Sequence, residues 1–466
     1  MAIQNTHYGS ESIRRMLLPC RRIFFIGIGG ISMSALARIS LLAGYGVGGS
    51  DQRESPLTRA LREKNAEIFL GHDAAHLRGY DAVVYTVAIS ESNPEYLAAR
   101  ERGLPLISRA DYLDYLMSDY PVRIGVAGMH GKSTCTAMCA SILARGADPT
   151  VLCGAALPFF EDATYRVGNT RKHFLFEACE YMDSFLDFSP TLAVILNVEM
   201  DHVDYFHSME QIRASFLAYA KKTGPEGCVL FNADDPETCL ALRDFDGNRK
   251  SISLTDPNAD FHARAIESHR YGTRFELYRG QTRLGTVELQ VHGKHMVYNA
   301  LAAAAVALLC EIPFEIIQEG LSAFEGAHRR MEFKGTLGGA DVYDDYAHHP
   351  REIRATLAGA REMGYQRILC AYQPHTYSRT AGLWEEFVTA FDGVDRVFFA
   401  DIYAAREQNQ YGVSSQGLAL AVGANATYLP TLDALAKRLR EEARPGDLVL
   451  IMGAGDIDKI YGFLFP

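Results

Sequence analysis

A loop of glycine, lysine and hydroxyl residues carries the most definite chemistry in this sequence. It reads Gly128-Met129-His130-Gly131-Lys132-Ser133-Thr134 and lies between a β-branched segment, 122–127, and an alanine-rich segment, 135–143. In a P-loop, backbone N–H groups at a helix start bind phosphate, the lysine neutralises β- and γ-phosphate oxygens, and the hydroxyl binds Mg²⁺. Strand, loop and helix occur in the required order, so the sequence predicts a nucleoside triphosphate site. The spacing is unusual, because only two residues separate Gly128 from Gly131, fewer than in the common pattern.

A second glycine turn lies near the N-terminus. Gly27, Gly29 and Gly30 follow a predicted strand at 23–26, and Asp51 ends the next predicted strand. This is the layout of a dinucleotide-binding fold, in which the acid reaches a ribose hydroxyl, although the third glycine is missing. Taken alone, the turn is consistent with a nucleotide diphosphate site, with an NAD-dependent oxidoreductase, or with a plain βαβ turn that binds nothing.

Three residues form the candidate metal set, namely Ser133, Glu177 and His202. Mg²⁺ prefers oxygen ligands and keeps several waters while it bridges substrate phosphates. Histidine is an unusual Mg²⁺ ligand, so His202 indicates a softer second metal position, a role through water, or an ordinary capping residue. Glu180 and Asp183 are interpreted as solvated charges on a helix face.

Basic residues further along the chain could meet anions. Arg329 and Arg330 lie at a predicted domain junction, where an arginine reaches a γ-phosphate only when the domains close. Asp345 and His348 follow a predicted strand in the third unit. Arg379 offers a guanidinium suited to a carboxylate.

The elements that must position these residues alternate between strands and helices. Predicted strands at 174–178 and 192–197 end in polar residues, and the carboxyl ends of parallel strands face the ligand crevice. Glu177 and the segment from Asn197 to Asp204 are therefore expected to converge on the nucleotide. The alternation restarts near 120 and 332, which predicts three α/β domains at 1–120, 121–331 and 332–466.

Composition limits the class of protein. The formal net charge of −11 argues against a nucleic-acid-binding protein. No apolar segment reaches transmembrane length and the N-terminus is too polar for a secretory signal, so we expect a cytoplasmic protein without membrane contact. The nine cysteines include no CxxC pair and are expected to be reduced thiols.

In their order and spacing, these segments resemble the Mur ligase family from residue 23 to 459. The marks are those already described together with Gly49-Ser50-Asp51, Asn93-Pro94-Glu95, Asp201-His202, Asp344-Asp345-Tyr346, His348-His349-Pro350, Gln373-Pro374-His375 and Gly453-Ala454-Gly455. The resemblance implies an N-terminal Rossmann-like domain for a UDP-sugar, a central P-loop-type ATPase domain with a mostly parallel sheet, and a C-terminal Rossmann-like domain for an amino acid. The first glycine turn would then hold a UDP pyrophosphate rather than NAD.

The resemblance is strongest to the branch of the family that joins L-alanine to the lactyl carboxylate of UDP-N-acetylmuramate. It implies ATP as co-substrate, Mg²⁺ as cofactor, and an acyl phosphate that the alanine amine attacks. The implied catalytic residues are Lys132, Glu177, His202 and Arg330, with metal ligands Ser133, Glu177 and His202. ATP would contact residues 128–134, Asn299, Arg330 and Asp345. The UDP-sugar would contact Gly27, Gly29, Gly30 and Asp51. The amino acid would contact His348 and Arg379.

The sequence departs from the family pattern at four positions. Met129 replaces a threonine, Cys179 an aspartate, Met296 an asparagine, and Thr376 an arginine found in many relatives. At Met129 only backbone N–H groups need contact phosphate, so we expect function to survive that change. The changes at Cys179, Met296 and Thr376 leave open a catalytically decayed, nucleotide-binding homologue. A recycling ligase that joins the same sugar to a tripeptide is a further alternative, and the sequence leaves both monomer and homodimer open.

Overall fold

The computed structural model describes residues 3–160, 163–202, 205–269, 272–326 and 328–465. Within these residues the chain forms three separate β-sheets, each covered by helices. The predicted fold class, three α/β domains with mostly parallel sheets, is confirmed. No helix in the described ranges is both long and apolar enough to span a membrane.

The first sheet has five parallel strands, and the turn after its first strand carries the N-terminal glycines. Its elements are α1 (Ser10–Leu17), β1 (Arg22–Ile26), α2 (Ile31–Leu42), β2 (Gly46–Asp51), α3 (Pro56–Glu63), β3 (Glu67–Leu70), β4 (Ala82–Tyr85), α4 (Pro94–Glu101), β5 (Leu106–Ser108) and α5 (Arg109–Met117). The strand order is β3-β2-β1-β4-β5. Because β1 lies where the order reverses, its following turn opens into the crevice that binds ligands in such sheets.

The middle sheet has ten strands and contains the P-loop. Its strands are β6 (Val122–Ala127), β7 (Thr150–Leu157), β8 (Ala163–Arg166), β9 (His173–Glu177), β10 (Leu192–Ile195), β11 (Cys228–Asn232), β12 (Arg249–Ser253), β13 (Phe261–His269), β14 (Gly272–Arg279) and β15 (Thr282–Leu289). Its helices are α6 (Lys132–Gly146), α7 (Met209–Lys221), α8 (Pro236–Ala241), α9 (Lys294–Leu309) and α10 (Phe314–Ser322). The order is β15-β14-β13-β12-β11-β10-β6-β9-β7-β8, parallel in the centre and antiparallel at both edges. β6 therefore lies between β9 and β10, the strands that carry Glu177 and precede Asn197.

The third sheet has six strands and begins with an antiparallel hairpin. Its elements are β16 (Glu332–Leu337), β17 (Ala340–Asp345), α11 (Pro350–Glu362), β18 (Arg367–Tyr372), α12 (Tyr377–Gly382), α13 (Trp384–Ala390), β19 (Arg396–Phe399), α14 (Ser415–Val422), β20 (Ala426–Tyr428), α15 (Leu432–Glu442), β21 (Asp447–Met452) and α16 (Tyr461–Leu464). The order is β16-β17-β21-β18-β19-β20. Asp345 ends β17, and the segment that contains Arg379 follows β18.

Close helix packing in the middle domain sets the position of Asn299. Residues 300–307 of α9 are fully buried, and most of them are alanines that let this helix approach α6 closely. Asn299 lies at the start of this buried stretch and is only 5% exposed. The packing of α9 on α6 therefore brings a polar side chain to the base of the P-loop.

Candidate functional site

The P-loop has the local geometry expected from its sequence. β6 ends at Ala127 and α6 begins at Lys132, with Gly131 as a left-handed N-cap at φ 82°. A Cβ on Gly131 would lie 2.7 Å from Asn299 Oδ1. Both the backbone conformation and the close approach of Asn299 therefore require glycine at this position.

Lys132 is held in place by an acid that sequence analysis treated as a surface charge. Its Nζ lies 2.9 Å from a carboxylate oxygen of Glu180 and donates to the carbonyl oxygens of Gly128 at 2.6 Å and Met129 at 3.0 Å. Glu180 is fully buried. Burial alone would lower the pKa of Lys132, but the charge of Glu180 outweighs it and raises the pKa. The lysine is therefore a fixed cation at the phosphate loop.

The predicted metal set divides into two neighbouring parts. Ser133 Oγ donates to Glu177 Oε1 at 3.1 Å, and Gly154 N donates to Glu177 Oε2 at 2.8 Å. His202 instead contacts Glu180, with Nε2 3.1 Å from Oε1. The hydroxyl and carboxylate oxygens of Ser133 and Glu177 suit Mg²⁺ at the helix start. In this arrangement His202 acts on the phosphate loop through Glu180, and its role as a direct ligand stays a prediction.

His130 joins the middle domain to the third domain. Its Nδ1 lies 3.1 Å from Glu352 on α11, and its Nε2 lies 3.0 Å from Glu199. Burial opposes the charged ring, but the two carboxylates prevail and raise the pKa of His130 to about 9. His130, Glu199 and His349 also place ligand atoms within 4.8 Å of one another. Because the two acids already neutralise an imidazolium, the cluster is explained as an interdomain ion pair.

A cavity of about 250 Å³ lies beside the P-loop, between α9 and α11. It collects six residues predicted to contact ATP, together with Met296 and charged side chains of the third domain. The predicted members are His130, Gly131, Asn299, Arg330 and Asp345, with Thr134 at the same wall. Met296 is buried and contributes a thioether where the family resemblance implies an amide. The cavity thus joins the predicted nucleotide residues of two domains.

Asp345 reaches this cavity in a fixed orientation. It accepts hydrogen bonds from the backbone N–H of Met331 and of Ala347, each at 2.9 Å, and from Thr356 Oγ1 at 3.1 Å. Burial raises the pKa of its carboxyl group. Arg330 lies over the ring of Tyr346, 5.2 Å from its centroid. Arg330 therefore lines the cavity beside the P-loop. Arg329 instead points to the third domain and donates to the carbonyl oxygens of Gly453 and Gly455.

The predicted amino-acid residues lie across the cleft from the P-loop. Arg379 is buried, and its Nε donates to Asp201 Oδ1 at 3.1 Å. Its Nη1 donates to the carbonyl of His375 at 2.8 Å. Burial lowers the pKa of His348 to about 3, and its Nδ1 lies 3.1 Å from the carbonyl of Tyr346. Thr376 contacts Glu407 at 2.7 Å instead of offering a second cation.

The N-terminal glycine turn borders a separate cavity of about 770 Å³. Gly27, Gly30 and Asp51 line it, and Gly29 N donates to Asp51 Oδ2 at 2.9 Å. A Cβ on Gly29 would lie 2.8 Å from the same oxygen. Asp51 thus holds the turn in shape as well as facing the cavity. His72 at the cavity wall is fixed by the buried carboxylate of Glu95, 2.8 Å from its Nδ1.

A third and larger cavity, of about 1420 Å³, lies on the other side of the junction between the middle and third domains. It is lined by residues such as His269, Glu325 and Tyr365, and none of the predicted site residues is among its described lining residues. The largest of the three cavities therefore does not coincide with the predicted site residues, which lie at and around the P-loop.

Sequence analysis missed the roles of several site residues. It expects Glu199 and Asp201 near the nucleotide only as part of the segment 197–204, interprets Glu180 as a solvated charge, and gives Glu352 no role. Glu180 and Asp201 link the P-loop to Arg379, while Glu199 and Glu352 hold His130. For Asn197 the sequence predicts a position near the nucleotide but no specific contact. The structure pairs its side chain with the backbone of His130 in both directions, at 2.9 Å each. The Asp201-His202 motif was the available signal for Asp201, but nothing local indicated its partner.

Family models match most of the chain. The model described as Mur ligase family, catalytic domain, matches residues 22–121, the Mur ligase middle domain matches 126–307, and the Mur ligase, glutamate ligase domain matches 329–455. Among relatives, the chain is 42% identical over 444 residues to the UDP-N-acetylmuramate–L-alanine ligase of Clostridium novyi. This alignment covers 94% of this chain and 96% of that protein. It is also 42% identical over 447 residues to the enzyme of the same name from Acetivibrio thermocellus, covering 94% of each.

Solved structures agree in fold. The UDP-N-acetylmuramate-alanine ligase of Thermotoga maritima matches with a TM-score of 0.77 and 28% identity, covering 95% of this chain and 98% of that one. A murein peptide ligase from Psychrobacter arcticus shares the fold with a TM-score of 0.69 at 23% identity and the same coverage. With three family domains in order and full-length relatives above 40% identity, the chain belongs to the Mur ligase family.

Proposed function

We propose that this protein is an ATP-dependent ligase that joins L-alanine to the lactyl carboxylate of UDP-N-acetylmuramate, with release of ADP and phosphate, in peptidoglycan precursor synthesis. One observation carries the proposal, namely a continuous set of polar contacts from the P-loop lysine to an arginine of the third domain. Lys132 contacts Glu180 at 2.9 Å, and Glu180 contacts His202 at 3.1 Å. Asp201 Oδ1 then accepts from His202 N at 2.7 Å and from Arg379 Nε at 3.1 Å. The predicted phosphate-binding cation and the predicted carboxylate-binding cation are therefore linked through three residues, Glu180, His202 and Asp201, across the two domains.

The relatives support this assignment over the alternatives. The named alanine ligases align along 94% of the chain, including both the N-terminal turn and the third domain. Family membership favours a UDP-sugar at the glycine turn over the NAD of an oxidoreductase. The murein peptide ligase, at 23% identity, shares the fold and does not decide the amino-acid substrate.

The first chemical step must bring two anions together. A lactyl carboxylate oxygen attacks the γ-phosphorus of ATP, and the bond from that phosphorus to the β-γ bridging oxygen breaks to release ADP. Two unit charges at 4 Å repel by about 4 kcal/mol at an effective dielectric constant of about 20. Lys132 offsets this repulsion from the P-loop, and Arg330 from the domain junction. When Mg²⁺ is bound, Ser133 and Glu177 would hold it, and its charge would further neutralise the phosphate oxygens.

The second step joins the amino acid. Arg379 binds the alanine carboxylate and orients the amine toward the acyl phosphate carbon, and attack there expels phosphate from a tetrahedral intermediate. His348 has its Nδ1 directed at the carbonyl of Tyr346, which assigns the proton to Nδ1 and leaves Nε2 as a hydrogen-bond acceptor. With its pKa lowered to about 3, His348 is neutral near pH 7 and is too weak a base to hold the proton that the alanine ammonium must lose, so its role is to orient the amine by a hydrogen bond.

Phosphate release tests the proposal. Purified protein supplied with ATP, Mg²⁺, UDP-N-acetylmuramate and L-alanine should release phosphate only when all four are present, and the product should be UDP-N-acetylmuramoyl-L-alanine by mass spectrometry. Replacing alanine by the tripeptide of the recycling reaction should give less than about 1% of the rate. A faster rate with the tripeptide would assign the recycling reaction instead. Binding of ATP and sugar nucleotide with no turnover would identify a decayed homologue.

A further inference from the structure

Arg406 is the feature that the proposed reaction leaves unexplained. It belongs to the third domain, yet it lines the 770 Å³ cavity of the N-terminal glycine turn. The other described lining residues of that cavity come from the N-terminal domain, from Gly27 to Arg109. Among the described residues, Arg406 has no hydrogen-bonded or ion-paired partner. An exposed arginine without a partner at the mouth of a ligand cavity is available to an anion.

The backbone that carries Arg406 is held firmly by the amino-acid region. Glu407 accepts from Thr376 Oγ1 at 2.7 Å and from Ser378 N at 2.9 Å. Tyr403 N donates to the carbonyl of Pro374 at 2.8 Å, and its ring stacks on His375 with centroids 5.5 Å apart. Arg406 is therefore presented by a segment fixed at both sides, so its approach to the cavity is set by the position of the third domain.

The charge balance of the cavity favours an anionic ligand. Two arginines line it, Arg109 and Arg406, against one carboxylate, that of Asp51. Asp51 is already engaged by Gly29 N at 2.9 Å. Arg109 donates to Ser32 Oγ at 3.3 Å, at the first turn of α2, so its guanidinium lies beside the N-terminal N–H groups of that helix. The two guanidinium groups and the helix start can surround one phosphate-bearing group.

We propose that Arg406 binds the pyrophosphate of the sugar nucleotide, so that the third domain contributes directly to UDP-sugar binding. This inference rests on the proposed function for the identity of the ligand. The lactyl carboxylate must lie at Lys132 to receive the phosphoryl group, and Lys132 is not among the described lining residues of this cavity. The anionic group that remains for Arg406 is the pyrophosphate. Thr376 and Ser378 of the amino-acid region also bind Glu407, the neighbour of Arg406. The sugar-nucleotide and amino-acid regions are therefore connected through one segment.

The test is direct binding of UDP and of UDP-N-acetylmuramate to the full chain by isothermal titration calorimetry. We expect Arg406→Gln to weaken both about tenfold, the effect of losing about 1.4 kcal/mol, and Arg406→Lys to recover part of the loss. The loss should shrink as ionic strength rises. Uridine binding should be the same in wild type and Arg406→Gln. Lys437→Gln, which removes one exposed positive charge from α15 of the same domain, should bind like wild type.

Kinetics provide the second readout. Arg406→Gln should raise the KM for UDP-N-acetylmuramate about tenfold, with the KM for ATP and kcat changed by less than about twofold. Unchanged UDP affinity in Arg406→Gln, or an equal loss in Lys437→Gln, would overturn the inference. If wild type binds UDP, Arg406→Gln does not and neither turns over, Arg406 is supported and the ligase proposal fails. If wild type binds neither UDP nor the sugar nucleotide, both fail.

Discussion

The cleft beside the P-loop and the cavity of the N-terminal glycine turn arrange their charged groups in different ways. The P-loop lies beside a cavity of about 250 Å³. Two cations of this region, outside the described lining of that cavity, are already paired with buried acids, as Lys132 is with Glu180 and Arg379 with Asp201. The N-terminal cavity is larger, about 770 Å³, and is shaped by glycine backbone, with Arg406 unpaired among the described residues. In the cleft, substrate anions must replace protein carboxylates as partners of these cations, so the cations are already held in position when the substrates bind. In the N-terminal cavity, backbone N–H groups and a cation without a protein partner among the described residues are available to an anion.

The largest effect should come from breaking the paired cleft at Lys132. We expect Lys132→Ala to lower kcat by more than about a thousandfold, because it removes the phosphate-charge stabiliser of the P-loop. Steady-state phosphate release measures this change. Near-normal turnover would remove Lys132 from the mechanism.

The same substitution leaves Glu180 as a buried carboxylate that has lost its cation, which costs roughly 3 kcal/mol of folding stability. The matched control is the double variant Lys132→Met with Glu180→Gln, which removes both charges. It should regain most of the lost thermal stability and none of the activity. Recovery of activity in the double variant would show that Lys132→Ala acts only through the stranded acid.

A pair of glycine variants separates the two regions. Gly131→Ala places a Cβ 2.7 Å from Asn299 Oδ1 at a left-handed φ of 82°, and Gly29→Ala places one 2.8 Å from Asp51 Oδ2. We expect Gly131→Ala to raise the KM for ATP about tenfold or more and Gly29→Ala to raise the KM for the UDP-sugar by a similar factor. Each should leave the other KM within about threefold. Equal effects on both substrates would contradict two separate binding regions.

Interdomain pairing in the cleft predicts a pH dependence. The pKa of His130 is raised from 6.5 to about 9 by Glu352 and Glu199 against the opposing effect of burial. Between these values the folded protein holds a proton that the unfolded chain has released, so the free energy of unfolding falls as pH rises. We expect a loss on the order of 2 kcal/mol across this window, measured by urea unfolding. His130→Gln should flatten the slope, and an unchanged slope would contradict the ion pair.

The smallest effect is expected at Cys179, the residue that replaces a family aspartate. Cys179 is exposed at the surface. The pKa of its thiol is nevertheless raised to about 11, chiefly by desolvation from the surrounding protein and to a smaller extent by the charge of Glu180. The thiol is therefore protonated near pH 7 and is a poor metal ligand. Cys179→Ser should change kcat and the Mg²⁺ dependence of the rate by less than about twofold. A large shift in Mg²⁺ dependence would show that Cys179 takes part in metal binding.

Much of this architecture could be predicted from local sequence motifs. The predicted strand at 122–127 coincides with β6, and Glu177 ends β9 beside it, because strand patterns and parallel-sheet rules act over short segments. The antiparallel edges of the middle sheet, such as β14 and β15, were not predicted, since no motif marked them. Glu180 was misread for another reason. It lies 48 residues from Lys132 in sequence, and its burial depends on how distant segments pack.

Contacts between domains were the hardest to anticipate. His130 and Glu352 are 222 residues apart, and Arg379 and Asp201 are 178 apart. Each side chain has an ordinary local explanation, since Glu352 lies in the first turn of α11 and Asp201 precedes a histidine. Only the relative position of the two domains pairs them. The domain boundaries near 120 and 332 remain predictions drawn from the restarts of the strand and helix alternation.

The central claim is that one cleft couples phosphoryl transfer from ATP to amide formation with L-alanine. The most direct measurement uses UDP-N-acetylmuramate labelled with ¹⁸O at both lactyl carboxylate oxygens. If the carboxylate attacks the γ-phosphorus and the amine then expels phosphate, each phosphate released must carry one ¹⁸O atom and the amide must keep the other. Mass spectrometry of the phosphate from a complete reaction should show this transfer. Phosphate without ¹⁸O, released alongside labelled product, would contradict the account.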